Sequence, residues 1–279
     1  MSVVDTGATP GTRLDRALEK LRAEGRVGLM THIVFGYPSA EESRAIVERM
    51  ARSGADAIEV QIPFSDPTAD GPVITEACQR ALDGGVRVAD ALAFMKESSE
   101  RYDIPFLFMN YLNTAFSFRG GESAGGGLRV FVEEAARAGA SGLIVPDLPP
   151  EQRQEGYPDA CREFGIHPVY VVSPNTPERR LEAVGEVASG LVYVTSRTGT
   201  TGREMELALT RLEGFLGQAR AILELPLAVG FSISRREHVE ALRGHADLAV
   251  VGTHLIRAYQ AAGLDGLETE LRQIAGRQG

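Results

Sequence analysis

The sequence predicts an α/β fold, a (β/α)8 barrel with one extra helix at the N-terminus. Three observations carry that expectation. Eight short apolar runs recur along the chain, at 27–35, 57–62, 106–109, 142–145, 168–172, 191–195, 225–229 and 248–251. A stretch with helical spacing separates each run from the next. The runs show little period-2 alternation, as expected of parallel strands covered on both faces.

The elements follow in order. Residues 14–24 carry leucines at helical spacing and precede the first strand, 27–35. A Pro-Ser pair opens the helix at 40–53, with Glu41 and Glu42 in its first turn, where acids favour the helix dipole. The strand at 57–62 leads to a helix at 76–82 that stops at Gly84-Gly85. Helix 88–100 precedes the strand Phe106-Leu107-Phe108-Met109, and helix 128–138 precedes the strand at 142–145. A helix at 151–164 leads to the strand at 168–172, and one at 177–184 to the strand at 191–195. The longest expected helix, 204–223, precedes 225–229, and 235–242 precedes 248–251. Two further helices, 254–262 and 267–275, close the chain. Eight such units suit a closed TIM barrel better than an open doubly wound sheet.

The chain of 279 residues, 43% hydrophobic and 24% charged, has ample material for one large core. No linker divides it, so residues 1–279 are expected to form a single domain. The first twelve residues are expected to be flexible, and the Gly-rich stretch 120–127 to be a mobile loop. Net charge is -9 without a basic stripe, which argues against nucleic acid and anionic membrane as partners. Cys78 and Cys161 fit a reducing compartment. No apolar run approaches the roughly 20 residues that cross a bilayer, and residues 1–12 carry no hydrophobic signal region. The expected location is the cytoplasm.

In a barrel of this kind, chemistry sits on the loops after the C-terminal ends of the strands. Glu59 lies inside an apolar run, and Asp70 follows in a loop punctuated by Pro63, Pro67, Gly71 and Pro72. A buried acid is costly unless paired or used, and an apolar pocket suits a carboxyl to acid–base work. The competing reading pairs Glu59 with an arginine and leaves Asp70 to cap the next helix. Three late loops contain glycine, around Gly199 and Gly202, Gly230, and Gly252. Such loops let backbone N–H groups approach a phosphate, although simple turns have the same composition. The only lysines, Lys20 and Lys96, fall in expected outer helices, so a Schiff-base aldolase is not expected. The histidines, His32, His167, His238, His245 and His254, show no metal-like spacing. His32 could face the site, but a hydrogen-bonded core histidine is the expected reading.

These residues resemble the tryptophan synthase alpha chain family, from about Leu14 onward. The most specific segments are 59–74, 142–150 (Gly-Leu-Ile-Val-Pro-Asp-Leu-Pro-Pro), 173–179 and 193–202. The resemblance implies a lyase of tryptophan biosynthesis that splits indole-3-glycerol phosphate into indole and glyceraldehyde 3-phosphate. This is a retro-aldol reaction without metal or cofactor on this chain. It implies Glu59 as general acid–base and Asp70 as acceptor for the indole N–H, the first with a shifted pKa and the second ionised. It places Tyr193 and Tyr111 near the substrate, Thr201 in support of Asp70, and Phe231 and Ile74 as pocket walls. Gly202, Ser232, Gly252 and Thr253 fall at the family's phosphate-binding positions. The loops that hold Asp70 and Thr201 would close together over substrate. A pyridoxal-phosphate β chain, in an α2β2 heterotetramer, is the implied partner.

The sequence departs from the pattern in places. Gln61 stands where the family usually has glycine, and by strand parity it points the same way as Glu59, where it would crowd the site or bond to the substrate. Ser232 replaces a usual glycine and Thr253 a usual serine; their N–H groups still serve a phosphate if the local φ permits. Thr68, Thr114 and the 120–127 insertion alter loops that the family uses near its partner. A free-standing lyase that releases indole, a phosphate-binding regulatory barrel without catalysis, and another phosphate-handling barrel enzyme are the alternatives.

Overall fold

The computed structural model describes residues 11–119, 127–195, 202–230 and 232–277. Among these residues nine parallel strands make one sheet: β1 (Gly28–Val34), β2 (Ala57–Gln61), β3 (Phe106–Met109), β4 (Gly142–Ile144), β5 (His167–Val169), β6 (Val171–Val172), β7 (Val192–Thr195), β8 (Leu227–Gly230) and β9 (Leu248–Val251). Their order is β5-β4-β3-β2-β1-β9-β8-β7-β6. The first and last members of that row are consecutive in the chain. β5 pairs with β4 and β6 with β7, so the single run expected at 168–172 changes partner across Tyr170 and brings the row round into a barrel. The Tyr170 ring is buried edge-on against Tyr157, with centroids 5.7 Å apart.

Eleven α-helices accompany the strands among the described residues: α1 (Arg13–Glu24), α2 (Ala40–Ser53), α3 (Pro72–Asp83), α4 (Val88–Arg101), α5 (Leu112–Ser117), α6 (Leu128–Arg137), α7 (Tyr157–Phe164), α8 (Glu178–Val187), α9 (Gly202–Ile222), α10 (Arg236–Ala241) and α11 (Thr253–Ala275). The larger core lies between sheet and helices. Ile33, Ile58, Val60 and Phe108 point outward there and meet Val47, Phe94 and Phe131. The smaller core fills the barrel itself with Met30, Ala57, Leu107, Ile144, Val169, Leu191, Ala228 and Leu248.

Helix α1 completes that inner core with Leu14, Leu18 and Leu21. It therefore plugs the N-terminal end of the barrel rather than joining the outer ring, a correction to the placement expected for Lys20. Thr12 opens α1 with a capping box, its hydroxyl accepting from the Asp15 N–H while the Asp15 carboxylate accepts from the Thr12 N–H. Asp15 also meets His167 Nε2 at 3.1 Å, which ties the plug to β5. Gly28 permits the close fit, since a Cβ there would lie 2.5 Å from Leu21 Cδ1 and 2.8 Å from Leu248 Cδ2.

Three elements differ from expectation. α3 begins at Pro72, whose fixed φ suits the first helical turn, so it starts earlier than the apolar spacing suggested. The expected helix at 151–164 breaks at Gly156, φ 66°, into a 3-10 turn (Arg153–Glu155) and α7. The two terminal helices lie within α11 as expected and are separated by non-helical backbone at Ala262 and Gly263, the latter at φ 64°. Short α5 was not expected; Asp147 Oδ1 accepts from its Leu112 N–H at 2.8 Å.

Candidate active site

Parallel register brings chemistry to the C-terminal half of β2. Glu59 lies beside His32 of β1 on one side and Leu107 of β3 on the other. Glu59 is 2% exposed and Gln61 fully buried, both among inward-facing residues as strand parity requires. Glu59 Oε1 lies 3.3 Å from His32 Nδ1, and Oε2 accepts from Tyr193 Oη at 3.4 Å. Among the described residues no arginine reaches Glu59, so the competing ion-pair reading does not hold there. Burial, then the negative charges of Glu59 and Asp70, push the Tyr193 phenol well above its ordinary pKa, so it stays a donor.

Asp70 sits nine residues further on, half-buried, ahead of α3. It does not cap that helix; the N-cap is Gly71, with no side-chain bond. Its carboxylate instead turns into the barrel mouth. Oδ2 accepts from Gln61 Nε2 at 2.7 Å and from Tyr111 Oη at 2.9 Å. Tyr111 Oη also accepts from the Ala69 N–H, and its ring stacks on Phe64 with centroids 5.0 Å apart. Burial raises the Asp70 carboxyl above the ordinary aspartate value, against His32 and the two donors, which favour the charged form. Asp70 is thus not the simply ionised acid expected: its carboxyl is shifted upward, and His32, Gln61 and Tyr111 favour its charged form.

His32 is the residue that sequence reasoning underrated. It is buried and hydrogen-bonded, as expected of a core histidine, but its partner is Glu59. Burial by itself lowers an imidazole's pKa; the charge and hydrogen bond of Glu59, with Asp70 behind, more than offset this and raise it above the ordinary histidine value. The available signal was a histidine within an apolar run, the same signal that singled out Glu59. Phe64 was missed as well, because its role comes from a stack on Tyr111 that no spacing reveals.

The proposed phosphate positions gather at neighbouring strand ends. Thr195, Gly230 and Val250 are successive partners across β7, β8 and β9. Ser232 follows β8 with φ 34°, and it is the non-glycine residue with positive φ among those described. Its backbone thus adopts a conformation that favours glycine. Gly252 is the N-cap of α11 and Thr253 its first residue; Gly202 opens α9. A Cβ on Gly252 would meet the His32 side chain at 3.2 Å, so this loop packs directly on the imidazole. Ile74 lies in the first turn of α3, against a cluster with Val34, Tyr37, Cys78 and Ile256. Thr201, Phe231 and most of the 120–127 stretch lie outside the described residues. Lys20 and Lys96 are exposed on α1 and α4, away from the strand ends. No group of three or more metal-ligating side chains occurs among the described residues.

The sequence profile of the tryptophan synthase alpha chain family matches residues 18–278. A curated tryptophan synthase alpha chain from Desulforapulum autotrophicum is 40% identical over 262 residues, covering 94% of this chain and 100% of its own. One from Syntrophotalea carbinolica is 39% identical over 261 residues, covering 94% and 99%. Among solved structures, a chain of tryptophan synthase from M. tuberculosis, in an open form with BRD0059 bound, superposes with a TM-score of 0.82. It is 31% identical, with 96% of this chain and 100% of that one covered. The tryptophan synthase subunit alpha of Legionella pneumophila gives 0.84 at 31% identity, covering 96% and 98%.

Proposed function

We propose a division of labour between Glu59 and Asp70 from one premise: the chain belongs to the tryptophan synthase alpha chain family. It is a carbon–carbon lyase of tryptophan biosynthesis, and its reaction is the retro-aldol cleavage of indole-3-glycerol phosphate to indole and glyceraldehyde 3-phosphate. Glu59 protonates indole C3 and takes the proton of the hydroxyl next to the breaking C–C bond. Asp70 accepts the indole N–H and stabilises the positive charge that develops on the ring. The observation that supports this most directly is the placement of both carboxylates at one barrel mouth, each held by a tyrosine hydroxyl.

The remaining assignments follow the same logic. Tyr193 and Tyr111 border the substrate, Gln61 and Thr201 steady Asp70, and Phe231 and Ile74 wall the indole. Gly202, Ser232, Gly252 and Thr253 present N–H groups to the phosphate at strand ends and helix starts, where the dipole favours an anion. The chain works in the cytoplasm as one barrel and binds a tryptophan synthase β chain, which supplies the pyridoxal-phosphate chemistry.

The test is direct detection of indole from purified chain and indole-3-glycerol phosphate, with related sugar phosphates as controls. Release that rises when a β chain is added supports the subunit reading. Full turnover alone, unchanged by a β chain, contradicts that reading and favours a free-standing lyase. Ligand binding without indole from the wild-type chain contradicts the enzyme reading.

A further inference from the structure

We propose that His32 is a positioning residue for Glu59, and that the two side chains together hold the one mobile proton that the cleavage requires. The inference rests on the lyase reading and deepens it. Two facts of geometry carry it. His32 Nδ1 lies 3.3 Å from Glu59 Oε1, with both residues buried and directly opposed in the β1–β2 register. Among the described residues His32 Nε2 is buried with no hydrogen-bond partner, so the one polar contact of the imidazole there is with the acid. An imidazole in such a place costs desolvation that an apolar side chain would avoid, and it is oriented by the residue that does the chemistry.

Proton accounting gives the pair its role. Glu59 must start with a proton available for indole C3, and it regains one from the substrate hydroxyl as the C–C bond breaks. The site therefore begins and ends with one proton, and none is consumed. A lone carboxylic acid near its ordinary value holds almost none at neutral pH. A buried pair of carboxyl and imidazole in contact shares one, as imidazolium beside carboxylate or as imidazole beside carboxylic acid, and such a pair titrates as a unit. The groups that face His32 are consistent with this. From β2 and its loop come Glu59 and Asp70, whose charges raise the imidazole's pKa. From β7 comes Tyr193, through Glu59. Gly252, ahead of α11, brings only backbone. Behind Asp70, Tyr111 and Cys78 are held neutral by burial.

The sign of the pH effect follows. The pair loses its proton as pH rises through the raised imidazole value, so cleavage falls on the alkaline side. His32→Phe and His32→Gln leave Glu59 to hold the proton alone. In both, the alkaline limb of kcat/KM for indole release should move down by at least one pH unit, with kcat at pH 8 lowered tenfold or more. Binding of glycerol 3-phosphate should stay within about threefold. His32→Gln keeps a donor without a titrating group. Wild-type kcat and pH profile in that variant would overturn the proton role, as would an unshifted limb in His32→Phe. Imidazole NMR on the intact protein serves even if a variant misfolds. The His32 titration in the wild type should lie above the ordinary histidine value and fall in Glu59→Gln; equal titrations in the two overturn the coupling. If the wild type releases no indole, the lyase reading fails at that step, and the NMR arm still decides whether the pair exists.

Discussion

Gln61 lies between Glu59 and Asp70 in the sequence and bonds to the second of them. Its amide donates to Asp70 at 2.7 Å, yet its Oε1 is buried without a partner among the described residues. The donor favours the charged carboxylate that burial opposes, while the orphaned oxygen costs stability. Gln61→Gly should therefore raise KM for indole-3-glycerol phosphate by roughly tenfold, the equivalent of one hydrogen bond of about 1.4 kcal/mol. Steady-state kinetics check this; an unchanged KM would show that Gln61 only fills space. Ser232 makes the opposite kind of statement. It holds φ 34°, a conformation that costs a non-glycine residue of order 1 kcal/mol. Ser232→Gly should stabilise the fold by about 0.5–1 kcal/mol in urea titration, with phosphate-ligand affinity preserved. A destabilised variant would mean that the serine side chain makes up for the strain.

At the scale of elements, the hydrophobic run length and the breaks by Gly and Pro made the strands legible. β3 and β9 coincide with their expected bounds, and the others move by one or two residues. What stayed hidden depended on partners distant in sequence. The switch at Tyr170 comes from β4 and β7 claiming opposite halves of one run. α5 exists because Asp147, 35 positions further on, caps it. The place of α1 under the barrel comes from the inward leucines meeting the strand starts, which periodicity marks as apolar without saying what they meet. That fit yields a prediction. Gly28→Val should force Leu21 and Leu248 aside and destabilise the fold by about 1–3 kcal/mol, read as a lower denaturant midpoint. Unchanged stability would mean that α1 yields easily and is no rigid plug. The candidate site divides in the same way. Glu59 and Asp70 were legible as acids at a strand end, whereas the His32 and Phe64 contacts arise only from register and stacking.

At the scale of the whole molecule, the barrel separates stability from chemistry along its axis. The N-terminal end is closed by α1 and its apolar contacts. The C-terminal end collects two clusters of buried and half-buried polar groups, His32 with Glu59 and Tyr193, and Asp70 with Gln61 and Tyr111. Polar groups of this kind are costly in a core and are retained where function uses them. The central claim is that Glu59 does the proton transfers while Asp70 steadies the developing charge. One measurement tests it most directly: indole release from indole-3-glycerol phosphate by the wild type, Glu59→Gln and Asp70→Asn, with glycerol 3-phosphate binding as the folding control. The account predicts release by the wild type, a loss of at least 1,000-fold in Glu59→Gln, a marked but smaller loss in Asp70→Asn, and ligand binding retained in all three, in line with the roughly 10²–10⁴-fold worth of a general acid–base group. Indole release by Glu59→Gln at the wild-type rate would contradict it.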